Sequence, residues 1–367
     1  MSKRVLSVVG TRPNFVKMAP IVAEIKRRGR FEHLLVHTGQ HYDDNMSKVF
    51  FDELHIPRPA VNLEVGSGPH GQQTAAMLEK IEQILLSEKP DWVLIYGDTN
   101  STLAGALAAA KLHINVAHVE AGLRSFNRRM PEEINRMVAD QLAATLLCPT
   151  DLAVKNLAAE GITQGVFQVG DVMYDSVLYN AALAQKGSSV MQTLGLAPKG
   201  FYLATIHRAE NTDDPARLAG ILEAFSRVKC PIVLPLHPRT RKTLGAGLEK
   251  LGGPVRVIDP VPYLDMLMLE KNCRMVLTDS GGVQKEAYWF DVPCITLRDQ
   301  TEWVELVQAG CNVIVGAGAD AIMSAVDTFE AAGAKLPPGR PSKLYGDGHC
   351  AEKIVQKLLE YRPTYFG

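Results

Sequence analysis

Residues that could bind phosphate recur just after short apolar runs of this sequence. The run 4–9 is followed by Arg12 and, five residues later, by Lys17. Cations at the start of a helix oppose the helix dipole, so helix stabilisation does not explain them, whereas an anionic ligand such as a diphosphate does. Both could instead be solvated surface charges. Their position at a strand's carboxyl end favours the anion site.

Three carboxylates occupy similar positions in the first half of the chain. Asp98 follows the apolar run 92–95, Glu120 follows the run 115–119, and Glu132 stands at a predicted helix start. Carboxylates grouped in this way are candidate general acids and bases. Asp98 could instead cap a helix, and Glu132 suits a first helical turn. Glu120 has the weakest structural explanation, because a carboxylate that ends an apolar strand is unfavourable without a partner.

The second half carries histidines and a glycine-containing turn. His207 and His237 each follow a predicted strand, and histidine can hold a phosphate or donate a proton near neutral pH. A further strand is followed by the turn 280–282, where small residues at a helix start let backbone N–H groups approach phosphate oxygens. Glu286 lies about one turn into that helix, within reach of a ribose. A simple helix cap would use the same turn, but we predict phosphate binding.

These residues are positioned by short β-type runs that alternate with longer helical runs. Strands are predicted at 4–9, 33–38, 92–95, 115–119, 145–148 and 166–169, and again at 201–206, 232–236, 255–258, 275–277, 294–296 and 313–315. Helices are predicted at 15–27, 44–54, 71–86, 99–112, 131–143, 151–160 and 351–361. This alternation predicts parallel sheets with helices on both faces. The predicted fold class is therefore α/β, with two Rossmann-like doubly wound domains facing a central cleft.

Length and composition agree with two globular domains. A length of 367 residues suggests two domains, and the stretch 185–200 is the predicted linker. Hydrophobic residues at 46% exclude a disordered chain, and a formal net charge of -1 gives no electrostatic argument for a nucleic-acid or membrane partner. Six cysteines without C-x-x-C spacing, no secretion signal and no membrane-length apolar run predict a cytoplasmic protein with reduced thiols.

No cofactor is predicted for this chain. We expect no bound dinucleotide of the Rossmann type, and the sequence contains no Walker A motif, no H-E-x-x-H motif and no cysteine/histidine cluster that would hold a metal. The remaining inventory is cations, carboxylates and histidines. That set suits a sugar-nucleotide enzyme that needs neither nicotinamide nor metal.

Taken in order, these motifs resemble the non-hydrolysing UDP-N-acetylglucosamine 2-epimerases over essentially the whole chain. The matching motifs are Gly10-Thr11-Arg12-Pro13 with Lys17, Gly97-Asp98-Thr99, His118-Val119-Glu120-Ala121-Gly122-Leu123-Arg124, Pro131-Glu132-Glu133 with Asn135-Arg136, His207-Arg208 with Glu210-Asn211, Asp279-Ser280-Gly281-Gly282 with Glu286, and Arg298-Asp299. The resemblance implies a glycosyltransferase-B fold. Its N-terminal domain, 1–170, would carry the sugar and acid/base side and be rejoined by the C-terminal helix 350–367, while 171–349 would bind UDP.

The resemblance also implies a reaction and the residues that perform it. The family expels UDP from C1 while a base removes the C2 proton, and then reprotonates the 2-acetamidoglucal and adds UDP back. The implied catalytic residues are Asp98, Glu120, Glu132 and His207. The implied substrate-binding residues are Arg12, Lys17, Arg136, His237, Met266, Ser280, Gly281, Gly282, Glu286 and Arg298. The implied partners are a UDP-sugar substrate and a second copy of the chain in a homodimer.

Two motifs depart from the pattern of many family members. The segment 298–304 reads RDQTEWV where many members have RDTTERP, and Asn14-Phe15 stands where many have glutamate-alanine. These variants resemble the subgroup that acts on UDP-2,3-diacetamido-2,3-dideoxyglucuronate, which is therefore a second candidate substrate. Three further functions are compatible with the same motifs, namely a hydrolysing 2-epimerase, a glycosyltransferase of the same fold and a UDP-sugar sensor without catalysis.

Overall fold

The structure, a computed structural model, describes residues 3–40, 58–236, 240–241, 243, 253–341 and 343–363. The chain divides into two compact units, of which the first comprises Met1–Leu178 with Tyr345–Gly367 and the second comprises Tyr179–Leu344. The predicted helix 44–54 lies outside the described residues.

The first unit is built on a seven-stranded parallel sheet. Its strands are β1 (Lys3–Val9), β2 (Phe31–His37), β3 (Val61–Asn62), β4 (Trp92–Tyr96), β5 (Asn115–Val119), β6 (Thr145–Cys148) and β7 (Val166–Gln168), in the order β3-β2-β1-β4-β5-β6-β7. The central strands are near-continuous apolar runs, as a sheet covered on both faces requires. The edge strand β3 was not predicted, because two residues carry no periodicity.

The helices of the first unit follow the strands in alternation. They are α1 (Arg12–Arg28), α2 (His70–Glu88), α3 (Asn100–Lys111), α4 (Pro131–Leu142), α5 (Asp151–Ala159) and the start of α6 (Val172–Gly187). Helix α1 starts three residues before its predicted start, because Pro13 fits a first turn whose N–H groups need no helical partner. It ends at Gly29, whose φ of 59° continues no helix.

The second unit repeats this arrangement with six parallel strands. They are β8 (Tyr202–Thr205), β9 (Ile232–Pro235), β10 (Val255–Ile258), β11 (Met275–Thr278), β12 (Cys294–Thr296) and β13 (Asn312–Ile314), in the order β10-β9-β8-β11-β12-β13. Its helices are α7 (Val190–Thr193), α8 (Ala209–Thr212), α9 (Pro215–Arg227), α10 (Tyr263–Asn272), α11 (Gly281–Trp289), α12 (Val304–Gln308) and α13 (Ala319–Ala331). Alternate residues of β8 enter two separate apolar clusters, so both faces of this sheet are covered.

The last helix, α14 (Cys350–Glu360), belongs to the first unit. Its first backbone N–H groups, those of Cys350 and Ala351, donate to the Asp175 carboxylate at 3.1 and 2.8 Å. The predicted linker 185–200 differs from the structure, because α6 continues through Gly187 and α7 lies inside it. The apolar Val190 gives that segment something to bury, since it packs in a core cluster of the second unit.

Both sheets have a point at which the strand order reverses. In the first sheet it lies between β1 and β4, and in the second between β8 and β11. Ligands of open parallel sheets bind outside the carboxyl ends of the strands at such switch points. Residues 10–17 and 97–99 follow the first pair of strands, and residues 206–208 and 279–282 follow the second pair. The predicted fold class, two Rossmann-like α/β domains, is confirmed.

Substitution of Gly122, in the turn after β5, tests how tightly the chain packs behind the first switch point. Its φ is 79°, and a Cβ there would lie 2.4 Å from the Ala153 carbonyl oxygen. Gly161 has a φ of 80° with open space around it, so Gly161→Ala isolates the backbone effect of about 1–2 kcal/mol. We expect Gly122→Ala to lose a further ~1–3 kcal/mol of unfolding free energy because of the clash. Equal losses in urea unfolding would contradict this packing.

Candidate active site

The first switch point holds an ion pair between Lys17 and Glu120. Lys17 lies on α1, and its ammonium donates to the Glu120 carboxylate, which follows β5. The two side chains are only 14% and 9% exposed. Burial alone would lower the pKa of Lys17, but the charges of Glu120 and Asp98 outweigh burial and the pKa is raised. Lys17 is therefore a fixed cation beside the carboxylate.

The backbone around this ion pair is unusual. Gly97 has a φ of 63°, and a Cβ there would lie 3.2 Å from Lys17 Nζ and 3.5 Å from Glu120 Oε2. A side chain at this position would crowd the pair. Glu120 itself has a φ of 71°, in the left-handed region that few residues with a side chain adopt. Such strain is typical of functional sites, where it is retained because the geometry is needed.

Asp98 is paired with a second cation, Arg136 of α4. Arg136 donates through Nη2 to Asp98 and through Nη1 to Glu133, the latter at 2.8 Å. Glu133 also accepts from the N–H and Oγ of Ser125 and from the N–H of Phe126, each at 2.9 Å. Burial would raise the pKa of Glu133, but these donors and Arg136 lower it. Glu133 thus anchors Arg136, while the Asp98 side chain stays 32% exposed.

Arg12 and Glu132 are exposed, and the ion pairs described above do not include them. Arg12 lies in the first turn of α1, and Glu132 lies in the first turn of α4 beside the buried Glu133. The sequence alone does not separate these two adjacent glutamates. The structure does, because only Glu132 is directed to solvent.

Asp279 organises the second switch point. Its fully buried carboxylate accepts from the backbone N–H groups of His207 at 3.1 Å and Arg208 at 3.0 Å, and from Asn211 Nδ2 at 3.2 Å. It also lies 3.2 Å from His207 Nδ1. Burial would raise the pKa of Asp279, but the hydrogen bond and charge of His207 and these donors lower it. Asp279 was not among the predicted site residues, although it stands in the same motif as Ser280.

The N-terminus of α11 is open and lies beside a cation. Gly281 begins this helix, and a Cβ there would lie 3.7 Å from Arg208 Nη2. A Cβ at Gly282 would meet nothing within 4 Å. Ser280 precedes the helix in the N-cap position. A guanidinium beside an open helix N-terminus favours a phosphate ligand. Arg208 was not among the predicted site residues either; its signal was adjacency to His207.

Arg298 is buried and held by a neighbouring carboxylate. It is 4% exposed and donates to both oxygens of Glu302, at 2.9 and 3.1 Å. Burial would raise the pKa of Glu302, but its hydrogen bonds from Arg298 lower it. The Arg298 charge is therefore partly neutralised within the second unit.

Glu286 and Met266 lie further from the start of α11. Glu286 is 6% exposed and accepts from the Tyr263 hydroxyl at 3.1 Å. Burial and the charge of Glu286 raise the pKa of the adjacent Glu270 well above its usual range. Met266 is partly buried against the cluster under α10 and α11, three residues after Tyr263 and so on the same helix face. His237 lies outside the described residues.

One glycine spacing in the chain is of the kind found in dinucleotide-binding motifs. The spacing G-x-G-x-x-G does occur, at Gly66, Gly68 and Gly71. It follows the edge strand β3 rather than a central strand at a switch point, so its position is not that of a dinucleotide fingerprint. In the part of the chain that the structure describes, no cluster of three or more His, Cys, Asp or Glu residues is arranged to hold a metal ion. None of the helices in that part is both long and apolar enough to cross a membrane.

The lowered pKa of Asp279 predicts a pH-dependent contribution to stability. A carboxylate whose folded pKa is depressed stabilises the fold above its unfolded pKa of about 4, and that stabilisation is lost as pH falls through the folded value. We expect Asp279→Asn to lose about 1–3 kcal/mol at neutral pH. The difference from wild type should shrink as pH falls below about 4. A difference that stays constant with pH in urea unfolding would contradict this.

Comparison with known proteins agrees with this geometry. The family model described as UDP-N-acetylglucosamine 2-epimerase matches residues 23–359. The chain belongs to the UDP-N-acetylglucosamine 2-epimerase family. The family predicted from the sequence motifs is thereby confirmed.

Individual members of the family cover nearly the whole chain. A UDP-N-acetylglucosamine 2-epimerase homolog from Methanococcus maripaludis is 51% identical over 97% of this chain and 99% of its own length. The UDP-2,3-diacetamido-2,3-dideoxy-D-glucuronate 2-epimerase of Pseudomonas aeruginosa is 50% identical over 97% and 99%. The crystal structure of the Methanocaldococcus jannaschii UDP-GlcNAc 2-epimerase, in complex with UDP-GlcNAc and UDP, aligns with a TM-score of 0.86 at 43% identity, covering 98% of this chain and all of that one.

Proposed function

We propose that this chain is a non-hydrolysing epimerase that interconverts UDP-N-acetylglucosamine and UDP-N-acetylmannosamine at C2. The observation that carries this proposal is the pair of carboxylates at the first switch point, Asp98 and Glu120, each tied to its own cation. Anion binding alone gains nothing from two carboxylates, because they would repel a phosphate. Two carboxylates at adjacent strand ends instead suit a reaction that removes a proton and returns one.

The chemistry explains why UDP must leave. The C2 proton of such a sugar has no neighbouring carbonyl, so its direct removal would give an unstabilised carbanion. When the C1–O bond to UDP breaks as the base takes the C2 proton, the electron pair of the C–H bond forms the C1=C2 double bond. UDP carries away the electrons of the C1–O bond. Protonation of this 2-acetamidoglucal on the other face, with re-addition of UDP, inverts C2.

In the first unit, Glu120 and Asp98 are the proposed acid/base pair, and Glu132 is a third candidate. Lys17 and Arg136 hold the two carboxylates in place and offset their mutual repulsion. One carboxylate removes the C2 proton from a given epimer, and the other returns a proton to the opposite face. The roles exchange when the reaction runs in reverse.

The second unit is the proposed UDP-binding unit. The backbone N–H groups at the start of α11 and the Arg208 guanidinium suit the diphosphate, and His207, held by Asp279, suits the departing phosphate oxygen. Glu286 would accept from the ribose hydroxyls. The remaining proposed substrate contacts are Arg12, His237, Met266, Ser280, Gly281, Gly282 and Arg298.

A second candidate substrate is UDP-2,3-diacetamido-2,3-dideoxyglucuronate, favoured by two contacts that depart from the usual pattern. Asn14 donates to the Tyr96 carbonyl at 2.8 Å, which the glutamate of many members could not do. Trp303 stands where many members have arginine. It donates to the Gly281 carbonyl at 2.8 Å, and its ring centroid lies 4.0 Å from Lys285 Nζ. The Pseudomonas aeruginosa relative, whose name carries this substrate, is 50% identical.

Proton and phosphorus NMR on each UDP-sugar, without added metal or nicotinamide, tests the proposal. Formation of UDP-N-acetylmannosamine from UDP-N-acetylglucosamine, with no loss of the diphosphate ester signals, is the expected result. Conversion of the diacetamido-uronate alone would select the second candidate. Free UDP with N-acetylmannosamine would instead indicate the hydrolysing reaction. Absence of conversion of both sugars would overturn the proposal.

We also propose that the enzyme is a homodimer, as the family resemblance implies, and that it is cytoplasmic, as the reduced thiols predicted from its cysteine spacing suggest. The calculated mass of one chain is 40.1 kDa. Size-exclusion chromatography with light scattering should therefore give about twice that mass. A mass equal to that of one chain would contradict the dimer.

A further inference from the structure

Three buried side chains and the exposed Glu160 form a hydrogen-bonded chain behind the first switch point, and the proposed reaction does not use them. His118 Nδ1 lies 2.7 Å from Asp140 Oδ1, and Asp140 Oδ2 accepts from Arg124 Nη1 at 2.7 Å. Arg124 then donates through Nε and Nη2 to the two oxygens of Glu160, both at 2.7 Å. His118 is fully buried, and Asp140 is 1% exposed. Side chains as well paired and as deeply buried as His118, Asp140 and Arg124 need a reason.

Both ring nitrogens of His118 face hydrogen-bond acceptors. Its Nε2 lies 2.7 Å from the carbonyl oxygen of Gly97, which can only accept a hydrogen bond. Its Nδ1 faces Asp140, whose oxygens also accept from Arg124 and from the Gly122 N–H. Burial would raise the pKa of Asp140, but His118 and Arg124 lower it, so Asp140 is a carboxylate. The Nε2–H group of His118 therefore donates to Gly97, and its Nδ1 contacts the Asp140 carboxylate.

His118 fixes the turn that carries Asp98. Gly97 is held at both ends, because its N–H donates to the Val119 carbonyl at 3.1 Å and its carbonyl accepts from His118. Asp98 is the next residue along the chain. A buried carbonyl that lost its donor would be left unsatisfied, at a cost of about 1–3 kcal/mol. The hydrogen bond from His118 therefore resists rotation of the Gly97–Asp98 peptide.

The same two side chains fix the turn that carries Glu120. His118 lies two residues before Glu120 on β5, and Asp140 accepts from the Gly122 N–H, two residues after it, at 3.2 Å. The strained backbone of Glu120, with its φ of 71°, is thus held on both sides. One buried hydrogen-bonded pair, His118 and Asp140, ties the carboxyl ends of β4 and β5 together.

We propose that His118 is a positioning residue whose hydrogen bonds to the Gly97 carbonyl and to Asp140 set the placement of the Asp98 and Glu120 carboxylates relative to each other. His118 is buried, so it acts through these two residues. The inference rests on the proposed function, because it concerns the residues to which that function assigns proton transfer. The result that would contradict the inference is different from the result that would contradict the proposed function.

Kinetics of His118→Gln and Asp140→Asn test the positioning role. Misplacement of reacting groups by about 1 Å lowers rates by on the order of 10²-fold, so we expect kcat for C2 exchange to fall by that factor. KM and the Kd for UDP should change by less than about threefold, since the substrate contacts remain. The matched control is His33→Gln, which removes a histidine on β2 of the same sheet whose pKa burial lowers to about 4. It should keep kcat within about threefold of wild type.

A spectroscopic measurement keeps the inference testable even if a variant does not fold. In wild-type protein labelled with ¹⁵N-histidine, Nε2 of His118 should show the chemical shift of a protonated nitrogen, because it donates to the Gly97 carbonyl. The His118 signals are assigned as those missing from His118→Gln or, if that variant does not fold, by bond-to-bond correlation. An unprotonated Nε2 would overturn the inference. Full exchange activity in His118→Gln, with an active wild type, would also overturn the inference but would leave the proposed function intact. An inactive wild type would overturn both.

Discussion

Glu120→Gln is expected to slow C2 proton exchange by about 10²–10⁴-fold, the range that a general acid or base contributes. Glutamine has the same shape but cannot take a proton at neutral pH. The substitution leaves the second unit unchanged, so the Kd for UDP should stay within about twofold of wild type. The measurement is the rate at which deuterium from D₂O enters C2, alongside calorimetric titration with UDP.

The matched control for this prediction is Glu82→Gln. Glu82 is an exposed glutamate on α2 of the same unit, with no part in the site. Its substitution should leave both the exchange rate and the Kd for UDP unchanged. Normal exchange in Glu120→Gln would remove Glu120 from the mechanism, and loss of UDP binding would place it among the binding residues instead.

Asp98→Asn is expected to slow the reaction by the same factor, about 10²–10⁴-fold, but mainly in the direction that Glu120→Gln affects less. If Glu120 and Asp98 serve opposite faces of the sugar, each variant should impair elimination from one epimer more than from the other. Arg136 keeps its bond to Glu133 in this variant, so the fold of α4 should persist. The measurement is the initial rate of UDP elimination, from each epimer separately.

Asp91→Asn is the control, because Asp91 is exposed just before the opposite end of β4. It should behave as wild type with both epimers. If Glu120→Gln and Asp98→Asn impair elimination from the same epimer to the same degree, the two carboxylates do not divide the faces between them. Glu132, the exposed glutamate of α4, would then be the next candidate for the second proton.

Most of the fold of this protein could be predicted from local sequence patterns. The central strands are short apolar runs bounded by turn residues. The loops and helices that follow their carboxyl ends carry Lys17, Asp98, Glu120 and His207. Parallel topology then requires such residues to meet at one edge of each sheet. Local patterns do not show which of these side chains pair with one another. Lys17 and Glu120 lie 103 residues apart, and only the folded sheet brings them together.

The parts that could not be predicted have physical reasons. The edge strand β3 is too short for a periodic signal. Glu132 and Glu133 differ only in which side of α4 they occupy, and only the latter is buried against Arg136. Asp279 acts through backbone N–H groups, which leave no trace in residue type. The strained backbone of Glu120 is likewise invisible until the turn after β5 is seen.

The central claim is that the C2 proton is exchanged while UDP leaves and returns. Its most direct test is the mass spectrum of UDP-N-acetylglucosamine and UDP-N-acetylmannosamine recovered after incubation with the enzyme in D₂O. We expect one deuterium, at C2, in the newly formed epimer and, as equilibrium is approached, in the starting sugar as well. An epimer formed without deuterium, or a label at any other carbon, would contradict the claim.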